Sequence, residues 1–257
     1  MSRTGWLHAP MYNRSMPERM EILAKGAREL GLELTPHQLD QFEVYYRELA
    51  DWNQRVNLTA IVQYSDVQVK HFLDSLTVCL ALPAGRLTPG ARVMDVGAGG
   101  GFPGLPLKLA FPEIRLSMLD SVGKKTAFLH HLVSVLALPE VEVYTGRAED
   151  LGRKPDLRES FDLVVSRGVA QMPSLLEYTL PFCCVGGMVV TLKHGGIEQE
   201  LASSARALQI LGGRLGEVKP VPVTGLTDNR VVVVEAKVKA TPPQYPRRAG
   251  LPGQHPL

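Results

Sequence analysis

The residues best able to do chemistry lie in one short stretch, Asp95-Val-Gly97-Ala-Gly99-Gly100-Gly101-Phe102-Pro103-Gly104. A turn so dense in glycine accepts positive φ and lets the backbone approach a ligand closely. Its exposed N–H groups face whatever lies at the ends of the strands. Gly99, Gly101 and Gly104 spell a literal G-x-G-x-x-G, so a dinucleotide site is one reading, although a lone match to that pattern is weak. Asp95 argues against it. A carboxylate directly before the turn repels a pyrophosphate and suits a cationic ligand, and S-adenosylmethionine carries both an ammonium and a sulfonium. Asp120 follows Gly99 by 120 − 99 = 21 residues, where a carboxylate at a strand end accepts hydrogen bonds from both ribose hydroxyls of a nucleotide. Its competing role is to cap the helix that starts near Gly123. Ribose binding is the stronger of the two.

These residues need a scaffold, and the rest of the chain supplies one. The chain has 257 residues, 45% hydrophobic and 21% charged, which is ordinary globular composition. It excludes a disordered, collagen-like or coiled-coil chain. No apolar run approaches the ~18 residues of a membrane span, and no apolar segment follows Arg3 as a secretory signal requires. Cys79, Cys183 and Cys184 are the three cysteines, an odd count that argues for a reducing cytoplasm rather than a disulfide framework. The net charge of +2 is too small to announce a nucleic-acid partner, so the placement of charge has to decide.

Residues 1–15 read as a flexible arm and 16–85 as a helical N-terminal extension. Thr35-Pro36 is a helix start, and Leu39, Phe42, Tyr46 and Leu49 recur at helical spacing behind it. Pro83, Gly85, Pro89 and Gly90 mark a boundary. Residues 86–238 then alternate short apolar runs, at 91–96, 114–119, 141–144, 161–165 and 187–192, with helical stretches including 123–137 and 171–184. Strands near 214–223 and 229–237, joined through Thr227-Asp228-Asn229, suggest an antiparallel edge hairpin. The pattern predicts an α/β fold with a mostly parallel, seven-stranded, Rossmann-like sheet and ligands at the carboxyl ends of its strands. Residues 239–257 read as a mobile, basic, proline-rich tail.

Several segments in fixed order resemble one family. They are Asn57-Leu-Thr-Ala60, His71-Phe-Leu-Asp74-Ser-Leu76, the turn Gly97–Gly104, Leu119-Asp120-Ser121 with Lys124-Lys125, Gly146-Arg147-Ala148-Glu149, Ser166-Arg167-Gly168-Val-Ala170 and the tail Tyr245-Pro-Arg247-Arg248-x-Gly250. From about residue 20 onward the sequence is similar to the bacterial small-subunit ribosomal RNA guanine-N7 methyltransferase G family, once called glucose-inhibited division protein B. It departs at Lys193-His194-Gly195, where many relatives have lysine followed directly by glycine. The resemblance implies a class I methyltransferase fold, S-adenosylmethionine as donor, and a guanine in the decoding-region loop of 16S rRNA as acceptor. It also implies cofactor contacts at Gly97, Phe102, Asp120, Ser121, Val122, Ala148, Glu149 and Arg167, and Gly99 and Gly101 of the glycine turn are expected to join them. Glu149 equally suits the start of the next helix, and Arg167 equally suits an ion pair with Asp162 or Glu149.

Guanine N7 is a lone pair without a proton, so its methylation needs no general base and catalysis rests on alignment. His71 and Asp74, three apart on a helix, share a face; they shape the acceptor pocket with Arg167 or merely steady the helix. Asn57 is a turn-former or an RNA contact. Cys183-Cys184 read as the buried end of a helix, and His130-His131 lack the spacing of metal ligands, so no metal is expected. Lys124, Lys125, Arg147, Lys193, Arg247 and Arg248 are the candidate phosphate contacts, and Tyr245 or Phe72 could stack on an extruded base. The expected protein is a cytoplasmic monomer acting on the small subunit. The rivals are a same-fold methyltransferase of another RNA or protein, a nicotinamide oxidoreductase, and a non-catalytic ribosome-assembly factor.

Overall fold

The computed structural model describes residues 20–85 and 87–257; the expected arm over residues 1–15 lies outside them. The N-terminal layer opens with α1 (Glu21–Glu29) and α2 (Pro36–Val56). Thr35 starts α2 by a reciprocal cap: its hydroxyl accepts from the Gln38 N–H at 3.2 Å while Gln38 Oε1 accepts from the Thr35 N–H at 2.8 Å. The Gln38 amide then donates to the carbonyl of Leu109 at 2.8 Å, so the cap also docks α2 on the sheet domain. The buried stripe of α2 is Phe42, Tyr45 and Leu49. Tyr46, expected inward, instead lies partly exposed with its ring edge-on to Tyr64 at 4.7 Å. A helical run then passes through α3 (Tyr64–Val67), a π-helical segment (Gln68–Leu73), α4 (Asp74–Leu76) and a 3-10 turn (Thr77–Ala81). π-turns of this kind gather at functional sites, and His71 sits in this one.

The sheet follows the expected alternation closely. Its strands are β1 (Arg92–Val96), β2 (Arg115–Asp120), β3 (Val141–Thr145), β4 (Phe161–Arg167), β5 (Cys183–His194), β6 (Gly213–Pro220) and β7 (Arg230–Lys237). They lie in the order β3-β2-β1-β4-β5-β7-β6. The first five are parallel, and β7 runs antiparallel to both β5 and β6. The connecting helices are α5 (Gly104–Ala110), α6 (Gly123–Val135), α7 (Ala148–Leu151), α8 (Met172–Thr179) and α9 (Glu198–Leu211).

Strand side chains alternate between two cores. Val93, Val165, Val190 and Val232 pack with the N-terminal layer, α5 and α6; Met94, Val164, Val189 and Val233 pack with α8 and α9. Both faces are therefore covered, which is why these strands read as continuous apolar runs.

Two further expectations fail. Cys183 opens β5, paired with Phe161, rather than ending a helix, because α8 already stops at Thr179. Burial pushes the Cys183 thiol up to about 12, so it is inert as a nucleophile. The segment 239–257 is folded rather than loose. It ends in α10 (Leu251–Gln254), and Arg158 donates to the carbonyls of Thr241 at 2.7 Å and Tyr245 at 2.8 Å.

Candidate active site

The strand order reverses between β1 and β4, and a crevice at the carboxyl ends of such strands is where doubly wound sheets bind ligands. The glycine turn lies there. The N–H groups of Gly97 and Ala98 both donate to the Leu119 carbonyl, at 2.9 and 3.0 Å. Asp120 closes the arrangement: Oδ2 accepts from the Gly99 N–H and Oδ1 from the Val122 N–H, each at 2.9 Å. A carboxylate has about four lone-pair sites, so each oxygen keeps a further acceptor position. Gly97 has φ +78, and a Cβ there would lie 2.4 Å from Cγ2 of Val169. Only glycine fits.

Asp95 does not reach the ligand side. It is fully buried beneath the turn, and its Oδ2 accepts from the Gly104 N–H at 2.8 Å. Its Oδ1 has no partner among the described residues, and burial raises the carboxyl to about 7. Its role is to hold the start of α5 against the turn, which corrects the expectation that it meets a cationic ligand. Gly101 and Gly104 are likewise used internally. A Cβ on Gly101 would meet the Tyr45 hydroxyl at 2.5 Å, and one on Gly104 would meet Asp95 at 2.8 Å. The literal G-x-G-x-x-G thus packs the turn instead of cradling a pyrophosphate.

A cavity of about 460 Å³ opens beside the turn, within the range of small-molecule sites. Gly97, Asp120, Ser121, Val122, Ala148 and Glu149, expected as cofactor contacts, all line it. Gly99, Gly101, Phe102 and Arg167 do not. The Phe102 ring stacks on Tyr45 at 5.4 Å and on His71 at 4.5 Å, with the Arg167 guanidinium 4.9 Å from its centroid. The Tyr45 hydroxyl donates to the Gly100 carbonyl at 2.6 Å. Phe102 is therefore the apolar hub that fixes the turn to the helical layer.

Arg167 pairs with neither Asp162 nor Glu149. Its Nη1 meets Asp74 Oδ2 at 2.6 Å, while Arg230 Nη1 meets Asp74 Oδ1 at 2.7 Å, and Asp74 is 1% exposed. Arg167 Nη2 lies 3.2 Å from His71 Nδ1. The Lys70 carbonyl lies 3.1 Å from the same Nδ1, and Nε2 lies 2.7 Å from Thr59 Oγ1, so both ring nitrogens have polar partners. Burial, with Arg167 beside it, lowers His71 to about 3, so the ring is neutral. These groups border a second cavity of about 390 Å³ lined by Lys70, His71, Arg167, Lys193, His194 and Arg230. Both cavities touch Gly168. A larger cavity, of about 640 Å³, lies away from the strand ends between α2 and the ends of α5 and α6, where His37, Gln38, Asp40 and Lys108 face Leu109, Val135 and Leu138.

The remaining basic candidates divide. Lys124, Arg147 and Arg248 are exposed, and Lys125 and Arg147 line the first cavity. Lys193 is held by Glu200 and donates to the Ala170 carbonyl at 2.8 Å. Arg247 is not an open phosphate contact: its Nη2 meets the fully buried Glu177 at 2.6 Å. Tyr245 packs partly buried against the core that holds α8 and α9, and Phe72 is buried in the other core, so neither is placed to stack on a base. Asn57 takes the left-handed conformation, φ 52, that ends α2. The sequence reading missed Thr59, Lys70, Arg230 and Tyr178. The turn before Arg230 and its pairing opposite His194 are the one local signal that could have found it.

Sheet order, switch point and an acid at the end of β2 define a class I methyltransferase fold. A solved methyltransferase in complex with the Haloferax volcanii Trm112 methyltransferase activator is similar in fold, with a TM-score of 0.54 at 15% identity over 75% of this chain and 98% of that one. The model of the family described as rRNA small subunit methyltransferase G matches residues 38–225. Ribosomal RNA small subunit methyltransferase G of Dehalococcoides mccartyi (strain CBDB1) is 48% identical over 93% of this chain and its own full length. The protein of that name from Moorella thermoacetica is 46% identical over 94% of this chain and its own full length. The chain belongs to the rRNA small subunit methyltransferase G family. S-adenosylmethionine is the methyl donor of this class, and the first cavity fits it: Asp120 offers free acceptor positions to a ribose, and Val96, Leu119, Val122 and Ala148 give apolar walls.

Proposed function

We propose that this chain transfers the methyl group of S-adenosylmethionine to N7 of a guanine in 16S rRNA of the small ribosomal subunit. The observation that carries the reading is the junction of two cavities at Gly168: one with aliphatic walls in which Asp120 and Glu149 lie beside Lys125 and Arg147, the other lined by the four cations Lys70, Arg167, Lys193 and Arg230 with Glu200 as its one carboxylate. The first suits a nucleoside-bearing donor. The second suits an anionic RNA segment, because phosphate contacts supply most of the affinity for nucleic acid.

Gly97, Asp120, Ser121, Val122, Ala148 and Glu149 hold the cofactor in this reading, and Arg167, His71 and Asp74 shape the acceptor side. When bound, the cofactor supplies an electrophilic methyl on sulfur. That methyl would pass to the N7 lone pair as the carbon–sulfur bond is given up, and the positive charge would move from sulfonium to purine. No proton leaves N7, so no base is required. His71 accordingly serves as a neutral spacer rather than a base, with hydrogen bonds to Thr59 and Arg167. Holding N7 in line with the methyl is a proximity effect that reaches roughly 7–11 kcal/mol in the best model systems. Lys124, Lys125, Arg147 and Arg248 are the solvent-facing phosphate contacts.

The chain acts as a monomer in the cytoplasm in this reading, and its three unpaired thiols support the reducing compartment. Among the described residues no helix is long and apolar enough to cross a membrane. The test is transfer of labelled methyl from S-adenosylmethionine to undermethylated small subunits, with the product base identified by mass spectrometry. Label recovered as 7-methylguanosine in 16S rRNA is expected. Label on another base, on another RNA or on protein selects the rival acceptors, and no transfer with cofactor binding intact points to an assembly role.

A further inference from the structure

The C-terminal segment is anchored to the walls of the first cavity rather than to the RNA-facing surface. Glu177 of α8, with no exposed side-chain surface, accepts from the Arg247 N–H at 2.7 Å and from Arg247 Nη2 at 2.6 Å. Ser174 Oγ donates to the Pro252 carbonyl at 2.8 Å. The Gly250 N–H donates to Glu149 Oε1 at 2.8 Å, joining the tail to a side chain that lines the cavity. These three ties seat Gly253 against Tyr178: a Cβ on Gly253 would lie 3.3 Å from the Tyr178 hydroxyl. Both residues line the same cavity as Asp120, Ala148 and Glu149.

We propose that the docked C-terminal segment is part of the cofactor site, with Gly253 and Tyr178 walling its nucleoside end. This rests on reading the first cavity as the S-adenosylmethionine site. Every other lining residue comes from the strand ends and the turns or helix starts after them; Tyr178 and Gly253 alone come from α8 and the tail. The adenine of an adenosine is flat and amphipathic, and it needs apolar cover beyond what the strand ends provide. Tyr178 offers a ring with a polar tip, and Gly253 leaves it room. Gly253 shows no positive φ, so what glycine supplies there is space. A side chain at that position fills the cavity or pushes the tail off Tyr178.

The test is calorimetry on the full chain with S-adenosylmethionine and, separately, adenosine, for Gly253→Leu, Tyr178→Ala and Asp120→Ala. The expected result is a tenfold or greater rise in Kd for both ligands in the Gly253 and Tyr178 variants. Weakening of S-adenosylmethionine without weakening of adenosine overturns the nucleoside placement. Unchanged affinities in both wall variants, with Asp120→Ala still weakened, overturn the proposal and leave the cofactor site standing. Unchanged affinities in all three remove the cavity reading and the proposal with it. The unmodified chain gives a readout free of folding defects. Amide hydrogen exchange over residues 250–254 should slow at least fivefold on adding S-adenosylmethionine, and an unaltered rate there overturns the proposal.

Discussion

Asp74 and Arg167, 93 residues apart in sequence, meet at 2.6 Å where the helical layer touches the end of β4. The same carboxylate holds Arg230 at 2.7 Å through its other oxygen. One buried acid thus fixes two arginines from two strands, and both arginines line the second cavity. The helical layer therefore builds the acceptor side of the site as well as covering one face of the sheet.

Removing that acid should be severe. Asp74→Ala strips Arg167 of its buried counter-charge and leaves Arg230 with Asp228 alone, and breaking a buried pair costs about 3–5 kcal/mol. Denaturant unfolding should show a loss of that size. Asp74→Asn keeps the volume and one acceptor, and should lose roughly half as much. A change below about 1 kcal/mol in the Ala variant would mean that solvent replaces the carboxylate without penalty.

His71 gives a pH signature. Its folded value of about 3 lies below the usual 6.5 of a free imidazole. Between these values the unfolded chain binds the extra proton, so this group's contribution is complete above pH 6.5 and lost as pH falls toward 3. Asp95 acts in the opposite sense. Raised to about 7 from 3.8, it holds a proton in the folded state, and its contribution, present below about pH 4, is lost as pH rises through 7. The two slopes oppose each other between pH 4 and 6.5. His71→Gln removes one of them, so the stability difference between the original chain and the variant should change by about 1.4 kcal/mol per pH unit across that window. Denaturant melts at pH 4.5, 5.5 and 6.5 measure it; a flat difference assigns His71 an ordinary value.

Much of this site was legible in the sequence because it is built locally. The glycine turn, Asp120 and Ala148-Glu149 each lie within a residue or two of a strand end, and alternating apolar runs locate strand ends. What could not be read was long-range pairing. The choice of Asp74 as partner for Arg167, over the nearer Asp162 and Glu149, depends on how the helical layer docks, and no local pattern encodes that. Asp95 misled for a related reason: its place before the turn is visible, but whether its side chain points to ligand or into the core depends on the packing of α5. Tail residues rich in proline and positive charge looked solvated because Glu177, their buried partner, lies 70 residues away.

Gly97→Ala should disable the cofactor site. The substitution puts a side chain at φ +78, and its Cβ would fall 2.4 Å from Val169. Strain of this kind costs about 1–3 kcal/mol, and shifting Val169 or the turn disturbs the cavity both border. Affinity for S-adenosylmethionine should fall at least tenfold while the far-ultraviolet circular dichroism is retained. Full affinity would show that the turn relaxes without moving the cavity.

Arg247 and Arg248, adjacent in sequence, should behave as different kinds of residue. Arg247 is the partner of a fully buried carboxylate, so Arg247→Ala leaves Glu177 without its counter-charge, held only by the backbone N–H of residue 247, and should cost about 3–5 kcal/mol of stability. Arg248 is exposed, and surface substitutions of that kind stay within about 0.5 kcal/mol. If Arg248 contacts a phosphate, Arg248→Ala should reduce the salt dependence of RNA binding by about one unit of slope, with stability unchanged. Binding to small-subunit RNA at several salt concentrations, alongside thermal melts of both variants, separates the two roles. Equal loss of stability in the two variants would mean that the tail docks through its charge in general and not through the Glu177 pair. An unaltered slope in Arg248→Ala, with stability intact, would remove Arg248 from the RNA-facing surface and leave Lys124, Lys125 and Arg147 to carry it.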